Sequence, residues 1–244
     1  MVNIKLTIEY DGRNYCGWQV QPNGLSVQNV IEDALLSLTG EKIRINGSGR
    51  TDSGVHALGQ TATFKTLSGI PPESFSKALN HLLPIDISII SSCKAGEDFH
   101  ARFSANGKHY RYLIYNRESR SPFYDGRAYR VSKRLDIEAM KKASEYFLGT
   151  HDFKGFMATG SQVEDTLRSI FELSVKRDKE LIELSVKGNG FLYNMVRIIA
   201  GTILECGLGK LDPTELKGII ASGKRESAGP TLPAAGLYLV EVYY

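Results

Sequence analysis

Cysteine is scarce in this chain, and its three residues, Cys16, Cys93 and Cys206, lie far apart. The absence of a Cys-x2-Cys pair excludes a zinc ribbon, and an odd number of cysteines leaves one thiol unpaired in any disulfide framework. The five histidines form no His-x3-His pair, so we expect no metal site. This cysteine usage fits a reducing compartment, and we expect a cytoplasmic protein.

Long apolar runs are also missing. The longest nearly apolar stretch, residues 195–204, is ten residues long and contains Arg197, so it is too short to cross a bilayer. The first residues, Met1 to Lys5, show neither a basic n-region nor an apolar h-region. We therefore expect neither secretion nor membrane association.

The excess of positive charge is small, at +3 from 30 Lys and Arg against 27 Asp and Glu, and does not by itself indicate nucleic-acid binding. Its distribution is uneven. Residues 102–134 hold nine basic and two acidic residues and five tyrosines. Such a segment suits a phosphate backbone with accessible bases, although a solvated loop face would carry the same charges.

Hydrophobic periodicity predicts the same unit twice. In the first half, strands are expected over residues 3–10, 42–46, 59–65 and 85–93, with helices from Ser26 to Gly40 and over 71–83. In the second half, strands are expected over 108–115, 167–175, 181–187 and 237–243, with helices over 136–148, 193–206 and 213–220. With the short helix at 213–220 as an extra, each half follows the β-α-β-β-α-β order of ferredoxin-like folds. We expect an α+β protein with antiparallel sheets in two tandem modules, residues 1–105 and 106–244, and a cleft between them.

The most unusual segment is residues 47–56 (GSGRTDSGVH), in which three glycines bracket an Arg-Thr-Asp-Ser core. The composition allows tight turns and close ligand approach, and it presents one carboxylate, Asp52. A single Asp can act as nucleophile, general base or electrostatic stabiliser. An ordinary hairpin whose polar side chains satisfy their own turn has the same composition. The segment matches neither a phosphate-binding loop nor a hydrolase nucleophile elbow.

Arg197 stands in an otherwise apolar predicted helix, so we expect its guanidinium to be largely buried. A buried cation needs a carboxylate partner or an anionic ligand. Asp52 is the economical partner, although a purely structural ion pair or a side chain that reaches solvent would also fit.

Tyr110 and Tyr112 alternate with His109 and Arg111 along a predicted strand and therefore share one face. That face could be an aromatic core pair or a platform on which a base stacks. Trp18, followed by Gln19 and Gln21, could contact RNA or lie in an ordinary loop.

Taken in order along the chain, these segments resemble the tRNA pseudouridine synthase A family. Seven blocks carry the resemblance: residues 10–12 (YDG), 17–22 (GWQVQP), 49–57 (GRTDSGVHA), 99–105 (FHARFSA), 110–112 (YRY), 191–197 (FLYNMVR) and 236–239 (GLYL). They span nearly the whole chain.

The resemblance implies a pseudouridine synthase fold and an isomerase that converts uridine to pseudouridine at positions 38 to 40 of the tRNA anticodon stem-loop. It implies that Asp52 is the catalytic aspartate and that Arg197 is its ion-pair partner. Tyr110 would stack on the uracil, Arg50 would contact the flipped nucleotide, and Leu237 would line the pocket. No cofactor or metal is implied, and the partners are tRNA and a second copy of the chain. The alternatives are a non-catalytic RNA-binding or chaperone module and an aspartate-dependent nucleoside hydrolase.

Overall fold

The computed structural model describes residues 1–22, 24–160 and 163–244. The chain divides into two compact units. The first comprises Met1–Asn106 together with Tyr238–Tyr244, and the second comprises Gly107–Leu237. The last strand thus groups with the first unit, whereas the boundary predicted from the sequence assigns it to the module of residues 106–244.

The first unit contains the β-α-β-β-α-β order predicted for it. Its elements are β1 (Val2–Tyr10), α1 (Val27–Thr39), β2 (Asn46–Gly47), β3 (His56–Thr66), α2 (Phe75–Asn80) and β4 (Ile87–Lys94). Strand β1 lies between β4 and β3, antiparallel to both, and β2 pairs antiparallel with β3. This is the strand order of a ferredoxin-like sheet. The final strand, β10 (Leu237–Tyr243), pairs in parallel with the beginning of β3, where Tyr238 lies opposite His56.

The predicted strand over residues 42–46 is wrong, because only Asn46–Gly47 pairs as β2. Ile43 and Ile45 are both buried, which explains the alternating pattern. However, the amide of Ile45 donates to the Glu32 carboxylate (3.0 Å) and its carbonyl accepts from Gln28 (3.1 Å), both on α1. The backbone here is therefore satisfied by helix side chains instead of by a neighbouring strand.

Helix α1 begins and ends at the residues that the sequence predicts. The hydroxyl of Ser26 accepts from the amide of Asn29, and Gly40 adopts a left-handed conformation (φ 73°) that ends the helix. Val27, Ile31 and Leu35, spaced by four residues, are fully buried. Removal of each such side chain from water contributes about 1.5–3 kcal/mol, so this stripe fixes the helix on its unit.

The second unit is also mixed α+β. Its strands are β5 (Gly107–Asn116), β6 (Tyr129–Val131), β7 (Gly149–Asp152), β8 (Leu167–Asp178) and β9 (Leu181–Gly188), and its helices are α3 (Ile137–Glu145), α4 (Met195–Gly207) and α5 (Leu216–Ser222). The antiparallel order is β5-β9-β8-β7, with β6 parallel to β5. The α+β class is confirmed. The short strands β6 and β7 were not predicted, since three and four residues give too little periodicity.

Two negative observations apply to the described residues. No helix among them is long and apolar enough to cross a membrane. In the same ranges, no group of three or more His, Cys, Asp or Glu side chains is placed to hold a metal ion.

Candidate active site

The Asp52 loop, residues 48–55, connects β2 to β3 in the first unit. Its beginning is held by β3: the amide of Ser48 donates to the carbonyl of Thr61 (2.8 Å), and the Ser48 hydroxyl donates to Oε1 of Gln60 (2.5 Å). The Gln60 amide in turn donates to the carbonyl of Gly49 (3.0 Å). Gln60 has no exposed surface. The buried Gln60 amide, hydrogen-bonded through both its oxygen and its nitrogen, therefore fixes the start of the loop.

The middle of the loop is held through Thr51. The Thr51 hydroxyl hydrogen-bonds the Tyr10 hydroxyl (2.8 Å), and its carbonyl accepts from the amide of Trp18 (3.1 Å). Gly17 lies against the same carbonyl: a Cβ at this position would be 2.6 Å from it, and Gly17 has φ +110°. Only glycine fits this close approach without strain. Trp18 is 2% exposed, so its indole is part of the support of the loop and not a surface contact.

The segment after Asp52 is a tight turn. The amide of Val55 donates to the carbonyl of Asp52 (3.1 Å), and Gly54 adopts φ 76° as this turn requires. Asp52 itself is half-buried and Arg50 is exposed. The turn is thus a genuine hairpin-like loop, as the composition allowed. Its backbone is fixed on both sides of the carboxylate, which is the preorganisation that a catalytic group needs.

His56 and Tyr238, to which the sequence analysis gives no role, lie beside this loop. His56 is 3% exposed and stacks on Tyr238 with 4.6 Å between ring centroids. Its Nδ1 lies 3.2 Å from Oδ1 of Asp11 and 3.2 Å from the amide of Gly12. A Cβ on Gly12 would collide with the carbonyl of Val55. The Asp11-Gly12 turn and the end of the Asp52 loop are therefore packed backbone to backbone.

Asp11 gives this packing a dependence on pH. Burial opposes ionisation of its carboxyl, but hydrogen bonds from the Arg13 side chain and amide and the charge of His56 outweigh it and lower the pKa of Asp11 from 3.8 to about 2. A depressed pKa stabilises the fold above pH 3.8, and that stabilisation is lost as the pH falls toward 2.

We expect Asp11→Asn to lower the free energy of unfolding by about 1–2 kcal/mol at pH 7, after allowance for partial solvent exposure. Urea unfolding of both proteins at pH 7, pH 4 and pH 2.5 measures the difference. It should shrink at the lowest pH, because the Asp11 carboxyl of the unfolded chain, with a pKa of 3.8, is then protonated and unfolding is accompanied by proton uptake. An equal difference at pH 7 and pH 2.5 would contradict the assignment to ionised Asp11.

In the second unit, Tyr110 and Tyr112 share one face of β5 but differ in surroundings. Tyr110 is 7% exposed and meets Phe191 edge to face, with 5.2 Å between ring centroids. Tyr112 has no exposed surface, its hydroxyl donates to the carbonyl of Pro233 (2.7 Å), and burial raises its pKa. Both rings are therefore buried, but only the Tyr110 ring keeps a small exposed fraction.

Arg197 lies in the first turn of α4 and is half-buried, not largely buried as predicted. Its Nε donates to the carbonyl of Leu232 (2.6 Å), and its Nη1 donates to the side-chain oxygen of Asn194 (2.6 Å). Asn194 adopts φ 60°, so α4 begins at Met195, later than predicted. These bonds orient the guanidinium, and they show how a cation is accommodated in an otherwise apolar helix.

The structure thus places the predicted site residues in two sets. Arg50 and Asp52 share the loop of the first unit. Tyr110, Arg197 and Leu237 belong to the second unit. Tyr110 shares a face of β5 with Tyr112, and the charge of Arg197 acts on the Tyr112 hydroxyl. Gly236, which precedes the 6%-exposed Leu237, lies against the Tyr112 ring. The partnership of Arg197 with Asp52 stays a prediction.

The chain is similar to known proteins along its whole length. The family model described as tRNA pseudouridine synthase matches residues 6–104 and 143–244. The tRNA pseudouridine synthase A of Acetivibrio thermocellus is 54% identical over 244 residues, covering 100% of both chains. The enzymes of that name from Ruminiclostridium cellulolyticum and Caldicellulosiruptor bescii are 54% and 52% identical, again over 100% of each chain.

Proposed function

The chain belongs to the tRNA pseudouridine synthase family, and from that premise we propose that it isomerises uridine to pseudouridine in the tRNA anticodon stem-loop, at positions 38 to 40. Full-length similarity to tRNA pseudouridine synthases carries the reaction class. The preorganised loop around Asp52 supports the assignment of the catalytic group. A non-catalytic RNA-binding module is not supported, since the relatives are named as synthases.

The reaction needs little more than a carboxylate that is correctly positioned beside the ribose. The N1–C1′ glycosidic bond breaks, the uracil turns, and a C5–C1′ bond forms; the C5 proton leaves and N1 gains a proton, so mass is unchanged. Asp52 starts the process either by attack on C1′ or by removal of the C2′ proton. Neither route consumes an oxidant, a reductant or a donated group.

The remaining site residues receive roles that suit their surroundings. The target nucleotide must leave the helix, which costs a few kcal/mol, and stacking on a fixed aromatic ring offsets part of that cost. Tyr110, held edge to face by Phe191, supplies such a ring and takes up the C5 proton. The exposed Arg50 contacts the flipped nucleotide or its backbone, and the apolar Leu237 lines the uracil pocket.

One assay separates this function from its alternatives. The purified protein is incubated with a tRNA transcript that carries tritium at C5 of uridine. A pseudouridine synthase exchanges the tritium for a solvent proton and leaves the base attached to the RNA, whereas a nucleoside hydrolase releases free uracil. A non-catalytic module returns the transcript unchanged. Absence of tritium release from a folded sample would overturn the proposal.

Two further expectations belong to this proposal. By resemblance to the family, we infer a homodimer; light scattering that gives only the 27.0 kDa mass of one chain would count against it.

We also infer a cytoplasmic location. Its support is that Cys16, Cys93 and Cys206 all carry free thiols, which suits a reducing compartment. Cell fractionation tests it.

We expect Arg197→Met to reduce kcat/KM by about 10²- to 10³-fold, the scale on which loss of one preorganised electrostatic contact is felt. Met keeps most of the side-chain length and removes the charge, so the loss of stability should be small by comparison. Tritium release and thermal unfolding are measured on the same samples. An unfolded variant would assign Arg197 a structural role instead.

A further inference from the structure

The turn at residues 99–104 (FHARFS) is the sequence block to which the proposed chemistry gives no role. It follows β4 in the first unit. Phe103 is 77% exposed and Arg102 is also exposed, whereas the preceding residue, Ala101, has no exposed surface. The turn therefore projects a large aromatic ring from a buried base.

His100 builds this turn. Its Nδ1 accepts the amides of Arg102 (3.1 Å) and Phe103 (3.4 Å), and its carbonyl accepts the amide of Ser104 (3.0 Å). The His100 ring lies against that of Phe103, with 4.5 Å between centroids and 35° between planes. The Arg102 guanidinium lies 5.6 Å from the Phe103 centroid. Because His100 and Arg102 restrain the exposed Phe103 ring, it loses little conformational freedom when another ring stacks on it.

The turn is tied to the strand that carries the Asp52 loop. The amide of Ala101 donates to the Thr63 hydroxyl on β3 (3.4 Å), and the hydroxyl of Tyr244 donates to the carbonyl of Ala101 (2.8 Å). Thr63, which contacts the turn, and His56, which follows the Asp52 loop, are about 20 Å apart along β3. A few nucleotides of RNA span that distance.

We propose that Phe103, supported by His100 and flanked by Arg102, is a stacking site for an unpaired base of the tRNA substrate other than the reacting uridine. An aromatic face beside a guanidinium matches a base attached to its phosphate, and stacking of this kind binds RNA without reading its sequence. The charge beside the ring favours RNA over a second copy of the chain as the occupant. This inference rests on the proposed function, since it extends the binding of the same substrate.

Steady-state tritium release tests the site. Phe103→Ala should raise the KM for the tRNA transcript about 5- to 100-fold, which is the range for loss of one stacked base, with a smaller change in kcat. Phe103→Trp should keep a KM near that of the unchanged protein. Phe103→Leu, which keeps apolar surface but no aromatic face, should behave as Phe103→Ala.

The matched control is Phe171→Ala, the same truncation at a 63%-exposed ring on β8. An unchanged KM in Phe103→Ala, an equal loss in Phe171→Ala, or full activity in Phe103→Leu would overturn the stacking site. A change in molar mass on light scattering of Phe103→Ala would show that the ring contacts a second copy. Anisotropy of a fluorescein-labelled transcript measures binding directly, so failure of the stacking site is distinguished from absence of synthase activity.

Discussion

Asp52→Asn should lose at least about 10⁴-fold in kcat/KM for tRNA, the scale on which loss of a catalytic carboxylate is felt in other enzymes. Asn has the same shape but neither attacks C1′ nor accepts the C2′ proton. The loop is held by Gln60, Tyr10 and backbone contacts at Thr51, none of which the substitution touches. Fold and tRNA affinity should therefore be retained while tritium release disappears.

Ser53→Ala is the matched control in the same loop. Ser53 is exposed, and its hydroxyl donates only a 3.2 Å bond to the carbonyl of Tyr15, so kcat/KM should change by no more than a few-fold. Asp52→Glu keeps the charge but shifts it by one methylene, and should also be strongly impaired because catalysis depends on placement. Pseudouridine formed by Asp52→Asn at a tenth or more of the normal rate would remove Asp52 from the catalytic role.

The elements that the sequence predicted well are those with a local signal. Helix α1 has a capping serine, a buried stripe and a terminal glycine, and β10 has the bounds read from its alternation. The Asp52 loop stands out in the sequence because glycines around a lone carboxylate are unusual. The predicted secondary structure is wrong where hydrogen-bond partners distant in sequence determine the backbone conformation. Residues 42–46 alternate like a strand, yet Glu32 and Gln28 take their hydrogen bonds.

The supports of the site were harder to predict than its reactive groups. Gln60 lies outside the blocks that carry the family resemblance, and Asp11 and Gly17 lie in two of them without a stated role. Only the tertiary structure shows that these residues hold the loop. The same is true of Arg197. The apolar helix indicated that its charge needs a partner, but not that a carbonyl more than thirty residues away and a left-handed Asn194 would provide one. Gly201 in α4 shows how closely the segment that contains Leu232 packs on this helix.

Gly201 is the position on α4 where the segment that orients Arg197 touches the helix. A Cβ there would collide with the carbonyl of Pro230, and a Cβ on Gly229 would lie 2.6 Å from the backbone of Thr202. The Thr202 hydroxyl accepts the amide of Gly229 (2.9 Å). Two glycines therefore allow the segment to lie directly on the helix, which brings the carbonyl of Leu232 to Arg197.

Gly201→Ala should lower the free energy of unfolding by about 1–3 kcal/mol, because the added methyl group displaces backbone, which cannot rotate away as a side chain can. For a chain of this size that is a fall in Tm of about 2–10 °C. Tritium release should fall as well, since Leu232 moves with the segment. Gly218→Ala in α5 is the control: among the described residues, nothing apart from its chain neighbours and its own helix backbone lies within 4 Å of the added Cβ. Alanine in a helix should stabilise by about 0.5–1 kcal/mol. Opposite signs in thermal unfolding distinguish close backbone packing from helix propensity, and a stabilised Gly201→Ala would show that the segment is not held against α4.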